Sequence, residues 1–212
     1  MVVPPALRPL GGRLITFEGV DGAGKSTQVQ ALAQALAQRG RAFVQTREPG
    51  GTPLGEALRA LGLGQEMAPL TETLLMFAAR NEHCLQVIVP ALQQGLWVLC
   101  DRFADASYAY QGAGRGICGE QLDQLSAWVL GTLQPDLTIL VDLDPAEAQR
   151  RRALARAADR FERESTEFFE RVRAGYRARA QQEPARFLVV DGAAPPAQVT
   201  AQILQRLAPW MA

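Results

Sequence analysis

The stretch LITFEGVDGAGKST, residues Leu14–Thr27, passes from a run of β-forming residues through a glycine-rich turn into the start of a helix. Gly19, Val20, Asp21, Gly22, Ala23, Gly24, Lys25 and Ser26 fit the pattern G-x-x-x-x-G-K-[ST], and Thr27 continues into the helix. Such a loop needs a strand before it and a helix after it, and both are present. Its glycines let successive backbone N–H groups turn toward phosphate oxygens, while the helix N-terminus adds positive potential. Lys25 is placed to reach the β- and γ-phosphates of a nucleotide, and Ser26 to ligate Mg²⁺. A chance glycine-rich turn is the bland alternative, and the flanking elements argue against it.

Composition sharpens this reading. The chain has 22 basic residues, all Arg except Lys25. Arg is a planar fork and Lys a compact point charge, so the lone Lys marks a place where a guanidinium does not fit. A single His, His83, excludes chemistry built on paired or metal-bound histidines. His83 lies between Glu82 and Cys84 on an apolar helix and reads as structural. Formal net charge is zero over 212 residues, so the overall charge points to neither nucleic acid nor an anionic membrane. Cys84, Cys100 and Cys118 show no C-x-x-C spacing and read as reduced thiols of a cytoplasmic protein. Met1–Gly12 carries three prolines and no apolar run, so neither a signal peptide nor an anchor is expected there.

Working outward, Arg13–Glu18 is expected as a strand and Lys25–Arg39 as a helix closed by Gly40. Strands follow at Arg41–Thr46, Leu96–Asp101, Leu137–Asp142 and Phe187–Asp191. Helices are expected at Pro53–Leu63, Gly119–Leu133, Pro145–Ala157, Thr166–Gln182 and Pro196–Leu207. Another spans Thr71–Gln94, with Leu74, Leu75 and Ala78 at core spacing and a bend at Pro90. Five apolar strands alternating with helices predict an α/β fold, a doubly wound five-stranded parallel sheet with helices on both faces, in one domain over 1–212. Ligands of such sheets bind beyond the carboxyl ends of the strands. The polar motifs fall there.

A phosphate loop serves many activities. A guanine-specific switch needs N-K-x-D, which a chain with one Lys cannot supply, and the chain is short for a motor or transporter. A small-molecule kinase remains. Asp101-Arg102 ends a buried strand: the carboxylate can hold Mg²⁺ through water, and the guanidinium can grip an acceptor phosphate bidentately. Arg47, in REPGGT (residues 47–52), offers a second cation. Arg150, Arg151, Arg152, Arg156 and Arg160 form a third group, in a segment (144–165) expected to close as a lid. No general base stands out, and a phosphate acceptor needs none, being anionic already at neutral pH.

At this point the sequence resembles the thymidylate kinase family from Leu14 to about Leu207. The resemblance rests on FEGVDGAGKST (17–27), REPGGT (47–52), FAAR (77–80), DRF (101–103), AYQG (109–112) and DRFE (159–162), in that order. It implies a P-loop kinase fold, ATP and Mg²⁺ as donor and metal, dTMP as acceptor, and a homodimer that serves dTTP synthesis. It also implies that Asp21 lies near the sugar 3′-hydroxyl and acceptor phosphate, and that Arg102, assisted by Arg47, clamps that phosphate. Arg80 resembles the arginine that meets the thymine carbonyl, and Ser107 and Gln111 stand near the base. Tyr110 resembles the tyrosine that crowds the sugar 2′-position. The family commonly stacks an aromatic residue four positions before the base-binding arginine; here that position is Met76 and the aromatic is Phe77. Gly22 replaces a loop Arg found in one branch, so a lid arginine is expected to act, with Arg156 favoured over Arg151, Arg152 and Arg160. Another nucleotide or deoxynucleoside kinase, or a P-loop protein without turnover, are the alternatives.

Overall fold

A computed structural model describes residues 12–153, 160–161 and 163–211. The sheet is five-stranded and parallel in the order β2-β3-β1-β4-β5. Its strands are β1 (Arg13–Glu18), β2 (Phe43–Arg47), β3 (Trp97–Asp101), β4 (Leu137–Asp142) and β5 (Phe187–Asp191). Side chains alternate across it. Ile15, Phe17 and Leu99 pack with Val29, Leu32 and Leu36 of α1 (Lys25–Gln38) and with Ile203 and Leu207 of α9 (Pro196–Met211). Leu14, Val98 and Cys100 instead meet Cys84, Ile88, Leu92 and Leu130 on the opposite face. Both faces are therefore covered, which is why these strands read as continuous apolar runs. Burying a side chain such as Phe17 stabilises the fold by roughly 2–3 kcal/mol.

β2 starts two residues later than expected. The N–H of Arg41 closes the end of α1 on the Leu36 carbonyl, with Gly40 at a φ of 67°. Helix α2 (Pro53–Gly64) is capped by Thr52, whose hydroxyl accepts the Gly55 N–H at 2.9 Å. Beyond it, α3 (Pro69–His83) widens into a π-helical turn at Cys84–Ile88 and continues as α4 (Val89–Gln93). Pro90 has no N–H to give the preceding turn, and the backbone widens there rather than breaking. The expected core spacing on α3 is wrong in detail. Leu74 and Ala78 are exposed, and the buried face carries Glu72, Thr73, Met76, Phe77, Arg80 and His83. Four of these six are polar: Met76 and Arg80 line a cleft, while Glu72 and His83 bond the buried side chains of Gln111 and Glu48.

Between β3 and α6 (Gly119–Leu130) lies a helical stretch absent from the sequence reading, α5 (Ala104–Ser107) running into a π-helical segment at Tyr108–Gly114. It packs against α8 (Thr166–Gln182). Helix α7 is described over Pro145–Ala153. No helix among the described residues is long and apolar enough to cross a membrane.

Candidate active site

The phosphate loop joins the carboxyl end of β1 to α1. Gly19 is required by contact: at a φ of 129°, a Cβ there would stand 2.4 Å from the Val141 carbonyl oxygen. Lys25 is buried and lies along the loop, donating to the Gly19 and Val20 carbonyls (3.1 and 3.2 Å), with Asp21 at 3.4 Å. Ser26 and Asp101 line one groove together. Asp101 Oδ1 is buried and has no hydrogen-bond partner among the described residues. An ionic oxygen buried in this way calls for a cation. A serine hydroxyl and a carboxylate are oxygen donors of the kind Mg²⁺ takes, so the donor set fits the metal.

Arg102 follows directly, in the left-handed region at a φ of 70°, the only non-glycine residue there among those described. Its side chain is fixed from several sides. Nη2 donates to Asp21 Oδ1 (2.7 Å) and to the Tyr110 hydroxyl (3.1 Å), and Nη1 donates to the Tyr176 hydroxyl (2.9 Å). Tyr176 in turn donates to Glu18 Oε2 at 2.7 Å, and the other oxygen of Glu18 accepts the Phe103 N–H at 2.7 Å. Glu18 thus holds Arg102 both by the backbone and through Tyr176.

Beyond Arg102 opens a cleft of about 700 Å³ including its mouth, lined by Asp21, Glu48, Met76, Arg80, Ser107, Tyr110, Gln111 and Phe161 among others. Arg80 is clamped by Glu48 (Nε, 2.7 Å), Ser107 (3.0 Å) and the Phe103 carbonyl (3.0 Å). His83 supports Glu48: its Nδ1 lies 3.0 Å from Glu48 Oε1, and its Nε2 lies 2.7 Å from the Thr46 hydroxyl. Burial alone would push the Glu48 carboxyl up, but Arg80 and His83 outweigh it and hold it below the usual value.

Three expected site residues sit elsewhere. Phe77 is sealed beneath Arg80, with the guanidinium 4.8 Å from its ring centroid, and Met76 is the residue that lines the cleft. Positions four apart share a helix face, which puts Met76 with Arg80. Arg47 is half-exposed at the end of β2, and its Nη2 holds both Glu56 oxygens at 3.0 and 2.8 Å. It borders the Ser26–Asp101 groove, whereas the cations on the cleft wall are Arg59, Arg80 and Arg102. Arg160 is buried against Glu72 (2.7 Å) and the Gly62 carbonyl (2.9 Å). Arg151 borders the groove of Gly22, Gly24 and Thr27 and donates to Glu147 and the Gly192 carbonyl. Arg156 and the side chain of Arg152 lie outside the described residues.

A protein-family model described as thymidylate kinase matches residues 17–203. The thymidylate kinase of Paraburkholderia xenovorans is 54% identical over 200 residues, covering 92% of this chain and 95% of that one. The thymidylate kinase of Bordetella petrii is 56% identical over 200 residues, with 93% and 97% coverage. The chain belongs to the thymidylate kinase family. The crystal structure of the thymidylate kinase from Ehrlichia chaffeensis superposes with a TM-score of 0.78 at 35% identity, over 93% of this chain and 99% of that one.

Glu18, Glu48, Glu72 and Tyr176 were not singled out from sequence, though the first two fall inside the motifs that mark the thymidylate kinase family. Glu18 has a measurable signature. Burial, reinforced by the Asp105 carboxylate and opposed by Arg102, raises its carboxyl from 4.5 to about 8. The unfolded chain gives up this proton at the lower pH and the folded chain at the higher. Ionising Glu18 therefore costs the folded state, and its contribution to stability falls as pH rises through that window. Glu18→Gln keeps an acceptor for the Phe103 N–H and is expected to flatten the fall. Denaturant midpoints of both proteins from about pH 5 to 9 check this; parallel profiles would refute it.

Proposed function

We propose that the chain transfers the γ-phosphoryl group of ATP to the phosphate of dTMP, giving dTDP and ADP, as one kinase domain over 1–212. The observation that carries this reading is Arg102, partly buried and aimed by Asp21, Tyr110 and Tyr176 at the junction of the phosphate loop and a cleft walled by Arg80, Ser107 and Gln111. The bond from the γ-phosphorus to the β–γ bridging oxygen breaks as an acceptor phosphate oxygen bonds to that phosphorus. The acceptor oxygen is already anionic, so positioning and charge neutralisation do the chemistry. Lys25 and the loop amides hold the donor phosphates, and Arg102 orients the acceptor. Tyr110 crowds the sugar, and Arg80 and Gln111 meet the base. Ser26 and Asp101 would hold Mg²⁺, which neutralises charge on the β- and γ-oxygens when bound. Residues 144–165 form the closing segment that brings an arginine to the transferring group.

Leu70 and Leu74 of α3 and Trp128 of α6 stand exposed on helices that pack side by side. That supports pairing with a second copy. The free thiols Cys84, Cys100 and Cys118 support a cytoplasmic location.

Measuring ADP release with dTMP, dUMP, dCMP, AMP and thymidine as acceptors tests the reading. dTMP should be favoured, and turnover of AMP or thymidine above dTMP would overturn it. Arg102→Ala should raise KM for dTMP by about 10- to 100-fold, the worth of hydrogen bonds to a charged group, and lower kcat. ATP affinity should hold, as fluorescence titration would show. A loss of ATP binding alone would move Arg102 to the donor side.

A further inference from the structure

Gln111 has one of its two amide ends committed. Its Nε2 donates to Glu72 Oε1 at 2.8 Å, and both residues are buried. A carboxylate only accepts, so Glu72 admits the NH₂ end of the amide and refuses the carbonyl end. Glu72 is itself fixed: Arg160 donates to its Oε2 at 2.7 Å, and Arg115 stands at 3.4 Å. With its nitrogen turned to Glu72, Gln111 has its carbonyl oxygen, an acceptor, and the second N–H of the NH₂ left for the cleft it lines. Arg80, on the same cleft, has only donors to offer.

An acceptor and a donor on one cleft match a pyrimidine imide, whose N3–H donates and whose O4 accepts. A 4-aminopyrimidine reverses both groups, setting a ring-nitrogen lone pair against the Gln111 oxygen and an NH₂ against the guanidinium. We propose that Glu72, which does not line the cleft, sets the imide specificity of this enzyme by locking the amide of Gln111 in one orientation. Glu72 is a positioning residue, and the proposal rests on reading the cleft as the base pocket of dTMP.

Glu72→Gln is the direct test. A glutamine at this position can donate or accept, so the amide of Gln111 is free to turn and present its NH₂ to a cytosine N3. The readout is the ratio of kcat/KM for dTMP to that for dCMP, which does not depend on the fraction of protein that is folded. We expect this ratio to fall at least about tenfold, since a buried polar group left unpaired is what gives such a site its discrimination. The change should lie mostly in KM. The ratio for dTMP to dUMP reads the 5-methyl group, not the imide, and should stay within about twofold. If both ratios fall together, Glu72 only keeps the cleft in shape and the proposal is overturned. An unchanged dTMP/dCMP ratio overturns it as well.

Loss of Glu72 leaves Arg160 and Arg115 short of a partner and can unfold the variant, in which case Gln111→Met decides. That change removes the reader and leaves Glu72 with both arginines. Loss of the dTMP preference over dCMP supports the proposal, and a retained preference sinks it. These failures leave dTMP kinase activity standing. A wild-type enzyme inactive on dTMP would remove the activity and the proposal together.

Discussion

Lys25→Ala should lower kcat by about 10²–10³-fold while the fold survives. The ammonium is the one lysine charge in the chain, and it lies along the glycine-rich loop proposed to hold the donor phosphates. A preorganised electrostatic contact of this kind supplies about 3 kcal/mol or more of transition-state stabilisation. The fold does not depend on it, because Nζ bonds only the Gly19 and Val20 carbonyls and Asp21, all within its own loop. The core of α1 rests on Val29, Leu32 and Leu36 instead. Single-turnover transfer, with circular dichroism and a melting curve as controls, decides the matter. A folded variant within tenfold of wild type would end the assignment of the loop to catalysis.

The second large effect is expected at Arg156. Gly22 leaves the phosphate loop without a side chain there, so a guanidinium for the transition state is expected from elsewhere. Of the four candidates, Arg160 is held by Glu72 and the Gly62 carbonyl, and Arg151 by Glu147 and the Gly192 carbonyl. Arg152 and Arg156 remain, and Arg156 is favoured. An arginine supplied to a transferring phosphoryl group is worth about 10³-fold or more in related enzymes. Arg156→Ala is therefore expected to cost at least about 10²-fold in kcat, with KM for both substrates little changed, since the contact belongs to the transition state. Arg151→Ala and Arg152→Ala should be mild by comparison. If Arg156→Ala keeps near-normal single-turnover rates, the charge comes from another residue.

How much of this was legible in the sequence depended on the range of the signal. The bounds of β1, β4, β5 and α8 match their apolar runs and caps to the residue, because strand burial and helix capping are written in adjacent positions. The phosphate loop was legible for the same reason. The helical stretch over 104–114 was not: its Ala, Tyr and Gly residues carry no clean period, and it is held by packing on α8, far away in sequence. Nor could the pairing of Arg160 with Glu72, 88 positions apart, be read locally. Arg47 and Phe77 do not line the cleft, which could not be read locally because a motif fixes which residues travel together, not which way each side chain points. Tyr176 gave no local sign, since a tyrosine on an amphipathic helix looks like core.

The strain of the left-handed backbone at Arg102 is offset by the bonds that its side chain makes. An L-residue in that conformation costs about 1 kcal/mol or more relative to glycine, which adopts it freely. A library screened for melting temperature alone would therefore pass over Arg102→Gly, which relieves the strain but leaves Asp21, Tyr110 and Tyr176 short of a partner.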